Sequence, residues 1–97
     1  YTLAQNAPNP FNPATSIAYD LPTDGWVRLT VYGTGGQLIR TLVDAAQPAG
    51  RYTVRWDGKD GVGHPVASGI YFYRFESVAD QKGAGAFSDV KRMMLVK

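Results

Sequence analysis

Apolar and polar residues alternate with a period of two along most of the chain, and no stretch carries the 3.6-residue period of a helix. From Thr15 to Leu21, Ile17, Tyr19 and Leu21 share one face while Ser16, Ala18 and Asp20 share the other, which predicts a first strand. Pro22-Thr23-Asp24-Gly25 is turn chemistry. Alternation resumes from Trp26 to Tyr32, with Val27, Leu29 and Val31 inward against Arg28 and Thr30. Gly33-Thr34-Gly35-Gly36 predicts a hairpin loop that needs positive φ at one or more positions. The third strand, Gln37 to Val43, places Leu38, Ile39, Leu42 and Val43 out of strict alternation, so a bulge or an edge position is expected.

Asp44 to Gly50, containing Pro48, reads as a longer connection. Arg51 to Trp56 returns to period two, with Tyr52, Val54 and Trp56 on one face. After the glycine-rich loop Asp57 to Pro65, Gly69 to Val78 sets Tyr71, Tyr73 and Phe75 against Ile70, Phe72 and Arg74. That two-sided apolar pattern predicts a central strand covered on both faces. Ala79 to Ala86 reads as a polar hairpin loop, and Phe87 to Lys97 as the last strand, with Met93 and Leu95 inward. About seven short strands without a helix predict an all-β chain folded as an immunoglobulin-like antiparallel β-sandwich, a closed barrel being the alternative.

The segment before the first strand is different. Pro8, Pro10 and Pro13 fix φ and remove amide donors, so residues 1–14 are expected to form an extended lead-in. Phe11 is its one large apolar side chain amid these breakers, and burying it would tie the lead-in to the sandwich. The 97 residues suit one domain spanning 1–97, burying about 65% of the surface of the unfolded chain. Ten basic and eight acidic residues are scattered along it for a formal charge of +2, which points away from nucleic acid and anionic lipid. There is no cysteine, so neither disulfides nor thiolate metal sites are available. No apolar run approaches the roughly 20 residues of a membrane-spanning helix, so direct membrane insertion is not expected. The chain starts at Tyr1 rather than Met and reads as a piece of a longer protein, with any export signal upstream.

Candidate chemistry is sparse. Asp57 and Asp60 lie three apart among glycines, as in calcium loops, but calcium takes six to eight oxygens, so turn capping by the carboxylates is the expected role and no metal is. His64 is the only histidine, and a site built from Ser68, His64 and Asp60 lacks a nucleophile elbow, so no catalytic residue is assigned. Gly35, Gly36 and Gly50 open no phosphate loop. Trp26, Trp56, Tyr71, Phe72 and Tyr73 could stack on sugars, although core packing accounts for them. No cofactor is expected.

Leu3, Gln5-Asn6, the lead-in motif Pro8-Asn9-Pro10-Phe11-Asn12-Pro13, Thr15, Ile17, Tyr19 and Leu21-Pro22 form a recognisable pattern. It continues through Val31-Tyr32, Gly36, Ile39-Arg40-Thr41-Leu42-Val43, Ala49-Gly50, Trp56-Asp57-Gly58, Gly63, Ser68-Gly69-Ile70-Tyr71-Phe72-Tyr73 and Lys91-Arg92-Met93-Met94-Leu95-Val96-Lys97. This pattern covers nearly the whole chain and resembles the C-terminal sorting domains (type A) of the type IX secretion system. It is also similar to the immunoglobulin-like domain of flagellar hook-capping proteins. Gly33 departs from it, standing where an Asp is usual after Val-Tyr.

The resemblance implies a non-enzymatic sorting and cell-surface anchoring module of a secreted bacterial protein, reaching the surface through the periplasm and outer membrane. Its partners would be outer-membrane secretion proteins and an upstream cargo domain of the same chain. The element read by that machinery would be Val90, Lys91, Arg92, Met93, Met94, Leu95, Val96 and Lys97, whose edge amides and carbonyls suit strand addition. The resemblance to the hook cap leaves a structural assembly domain as an alternative, and the aromatics a carbohydrate-binding accessory module.

Overall fold

Turn residues cut the alternating runs into seven strands in a computed structural model that describes residues 1–78 and 86–97. They are β1 (Thr2–Leu3), β2 (Thr15–Leu21), β3 (Gly25–Gly33), β4 (Leu38–Gln47), β5 (Gly50–Trp56), β6 (Gly69–Val78) and β7 (Phe87–Leu95). All pairings between them are antiparallel. A three-stranded sheet runs β1-β2-β5 and a four-stranded sheet β4-β3-β6-β7, the two-layered arrangement of an immunoglobulin-like sandwich. The expected hairpin loop Ala79 to Ala86 lies outside the described residues apart from Ala86.

Every second residue of a strand faces the opposing sheet, and these positions are the core. Ile17, Tyr19, Leu21 and Trp56 come from the smaller sheet, and Val27, Leu29, Val31, Tyr71, Tyr73, Phe75, Met93 and Leu95 from the larger. The rings interlock, Tyr19 lying 4.8 Å from Phe75 and Trp56 5.5 Å from Tyr71 between centroids.

β4 lies at a sheet edge, and its pairing with β3 shifts register twice, once past Leu42 and once past Ile39. Each shift turns the strand, so Ile39, Leu42 and Val43 all pack against the core without alternating. Of the three hairpin glycines only Gly36 takes positive φ, at 83°.

Three expectations need correction. β4 continues to Gln47, leaving only Pro48 and Ala49 before β5, because Asp44, Ala45 and Ala46 pair with β3 at an exposed edge where no apolar side chain is required. β6 is central but covered on one face only. Ile70 and Phe72 are half-buried by cross-strand neighbours, Phe72 pairing with Tyr32 and Arg92, since a sandwich has no third layer. The short β1 escaped the pattern altogether; it pairs with β2, puts Leu3 into the core and stacks Tyr1 on Phe87 at 5.1 Å.

Candidate recognition site at the terminal strand

β7 forms an edge of the four-stranded sheet, and its side chains divide by parity. Met93 and Leu95 are buried in the core, as their inward assignment anticipated. Val90, Arg92 and Met94 stand exposed on the outer face, Val96 and Lys97 follow exposed beyond the strand, and Lys91 is half-buried on the inner side. Of the eight predicted recognition residues, then, two are structural and five are open to a partner. Arg92, Met93 and Met94, together with Asn9, Pro10 and Ile70, line a shallow groove of about 350 Å³.

The outer edge of β7 is not free where strand addition was expected. The Met94 amide donates to Asn9 Oδ1 at 3.0 Å, and the Met94 carbonyl accepts from the Phe11 amide at 2.9 Å. The Val96 amide donates to the Phe11 carbonyl at 2.9 Å, and Gln5 Nε2 donates to the Arg92 carbonyl at 2.7 Å. The lead-in thus takes the place of one more strand, running parallel to Leu95 at Phe11. Along the rest of the edge, Asp89 and Lys91 occupy inward-facing positions, where charges discourage a further strand.

The lead-in can do this because its side chains are anchored. Phe11 is 2% exposed, with its ring 5.6 Å from Trp56. Asn6 is buried and fully engaged: its amide donates to Tyr73 Oη, Nδ2 donates to Thr15 Oγ1 and the Pro8 carbonyl, and Oδ1 accepts from Gln5. Thr15 Oγ1 donates in turn to the Pro8 carbonyl at 2.9 Å. Tyr73 Oη donates to the Ala4 carbonyl, and burial pushes its pKa up to about 12. Gly58, at φ 75°, lets the turn after Trp56 close against the Pro13 carbonyl, which a Cβ there would meet at 2.7 Å.

The remaining candidates behave as structure. Asp57 Oδ1 accepts from the Lys59 amide and from Arg40 Nη1, and Asp60 Oδ1 accepts from the Val62 and His64 amides. Those bonds, the one from His64 foremost, hold the Asp60 pKa below its ordinary value. Ser68 Oγ accepts from the Lys97 amide, and the exposed His64 is tied to this loop through its main chain. Among the described residues no group of three or more His, Cys, Asp or Glu could hold a metal ion. The aromatic set is not assembled as a platform: Trp56, Tyr71 and Tyr73 are buried, Phe72 is half-buried on the outer face, and Trp26 is exposed on another strand with its indole donating to Asp44.

The FlgD Ig-like domain pattern matches residues 12–83, most of the chain. The chain belongs to that family. FlgD-type domains are immunoglobulin-like structural domains rather than a known enzyme family. No curated protein matches it in sequence. Among solved structures, dimeric latent PorU from Porphyromonas gingivalis superposes with a TM-score of 0.72 at 19% identity, over 95% of this chain and 9% of PorU. FLGD from P. aeruginosa superposes with a TM-score of 0.64 at 22% identity, over 84% of this chain and 61% of that one. PorZ, described as an essential bacterial surface component of the type IX secretion system of P. gingivalis, gives 0.61 at 22% identity, over 96% of this chain and 11% of PorZ. At these identities the likeness is one of fold. It places this FlgD-type sandwich beside portions of two much longer proteins as well as beside FLGD.

Proposed function

We propose that this FlgD-type domain is a non-enzymatic C-terminal sorting and cell-surface anchoring module of a secreted bacterial protein, recognised by type IX secretion machinery through its folded C-terminal region. The observation that carries the reading is the terminal strand itself. Met93 and Leu95 lock it into the core, so Arg92, Met94, Val96 and Lys97 are presented in a fixed array only once the domain has folded. A reader of that array would pass folded domains and reject unfolded ones. Fold likeness to PorU and PorZ supports the same direction. The outer-membrane machinery and an upstream cargo domain are the implied partners, and the periplasm, outer membrane and cell surface the implied route.

Deleting Val90 to Lys97 would remove core residues as well, so substitutions are the cleaner test. Residues 1–97 are fused behind a periplasmic reporter in a type IX-competent bacterium, with and without Arg92→Glu, Met94→Ser and Lys97→Glu combined. All three positions are exposed, so the variant should stay folded while surface reporter falls about tenfold. Undiminished export of the folded variant would sink the reading.

A second reading, a structural assembly domain like that of the hook cap, is favoured by the family match and by the fold of FLGD from P. aeruginosa. It requires hook-assembly sequence upstream in the parent protein, whereas sorting requires a secreted cargo there. Sequencing upstream of Tyr1 separates them.

A further inference from the structure

We propose that the outer edge of β7 from Arg92 to Val96, with the pocket beside Trp56, is an acceptor site for an extended peptide carrying an aromatic anchor two residues after an asparagine, and that the lead-in fills this site in cis. Each feature of a strand-addition site is present. The main chain offers the Met94 amide and carbonyl, the Val96 amide and the Arg92 carbonyl, all directed away from β6 and all engaged by Gln5, Asn9 and Phe11. Such main-chain bonds supply affinity to an added strand, and a pocket for one side chain supplies selection. The pocket takes the Phe11 ring, 5.6 Å from Trp56, and buries it to 2% exposure. Asn9 defines the register by capping Met94. The ligand class is therefore displayed by the occupant: an extended Asn-Pro-Phe segment.

Filling the site in cis engages the edge groups that another strand would use. A tethered segment acts at an effective concentration in the millimolar range or above, which a dilute free peptide cannot match. Removing the anchor reverses the balance. Truncating a buried Phe weakens the tethered segment by roughly a hundred- to a thousandfold, so a free peptide that keeps its Phe wins at about 0.1 mM. The site belongs to the fold and holds whether or not the domain sorts cargo.

The test uses the full chain with Phe11→Ala and a fluorescein-labelled peptide of residues 5–13, followed by fluorescence anisotropy and amide NMR. The variant should bind the peptide saturably, with shifts centred on the Met94 and Val96 amides and a rise in its Tm. The same peptide with alanine in place of Phe11 should bind at least tenfold more weakly, and wild-type protein should bind neither. Should Phe11→Ala fail to fold, Phe11→Leu keeps part of the pocket filled and is read in the same way. A folded variant that ignores the peptide, or takes both peptides equally, overturns the proposal. So does wild-type protein binding as tightly as the variant, or shifts that fall away from β7.

Discussion

The Tyr73 hydroxyl accepts from the Asn6 amide at 2.9 Å and donates to the Ala4 carbonyl at 2.7 Å, coupling the lead-in to the middle of the larger sheet. Removing it in Tyr73→Phe deletes two hydrogen bonds and leaves a buried amide unpaired, a loss of about 1–3 kcal/mol measurable by urea denaturation. The same hydroxyl makes the fold alkali-sensitive. Its pKa is raised from 10.0 to about 12, so the neutral phenol is what the folded state favours. Its contribution is complete below pH 10 and is lost as pH rises through about 12, and Tyr73→Phe should flatten this part of the stability profile. Gly58 and Gly36 make a second contrast at this scale. Both have positive φ, but a Cβ at Gly58 would strike the Pro13 carbonyl, whereas one at Gly36 meets open space. Gly36→Ala should cost about 1 kcal/mol by backbone strain alone, and Gly58→Ala measurably more, in thermal denaturation of the two variants. The turn at Gly36 was legible from its glycine cluster. The part of Gly58 was not, because its neighbour Pro13 is far away in sequence.

Among the elements, β7 was the hardest to orient from sequence. Neither Val90, Arg92, Met94 and Val96 nor Lys91, Met93, Leu95 and Lys97 is wholly apolar, since inward positions near one end carry Asp89 and Lys91. The three-stranded sheet is narrower than the four-stranded one, which leaves an edge strand incompletely covered. Strands β2 and β5 alternate cleanly, whereas β3 buries Thr30, expected to face outward, together with Leu29 and Val31. β4 shows the converse, where two register shifts let non-alternating Ile39, Leu42 and Val43 reach the core, and where Asp44 to Gln47, without a large apolar side chain, still pair as strand. The adjacent methionines of β7 test the orientation directly. Met93→Ala should cost about 2–5 kcal/mol through the cavity it leaves. Met94→Ala, at 41% exposure, should cost less than about 1 kcal/mol. Chemical denaturation of the pair reports the difference, and equal losses would mean that the inner face has been misassigned.

At the scale of the whole molecule, the lead-in joins what the strand order leaves apart. It crosses from β1, held by β2, to the outer edge of β7, and Phe11 packs on Trp56 of the smaller sheet on the way. The sequence marked residues 8–13 as unusual and Phe11 as worth burying. It could not show where they would dock, because pairing Gln5 with Arg92 or Asn9 with Met94 spans nearly the full chain and leaves no local periodicity. The docking makes a prediction about cooperativity. An appended strap would melt first and leave the sandwich transition in place. A lead-in that fills the core should instead unfold with everything else, and Phe11→Ala should remove about 3–5 kcal/mol of a total that for such domains is about 5–15. For a domain of this size that lowers Tm by roughly 10–40 °C while keeping one transition, with calorimetric and van't Hoff enthalpies equal. Differential scanning calorimetry of the wild type and Phe11→Ala distinguishes the two cases, since a strap would give an unshifted main transition preceded by a small one of its own.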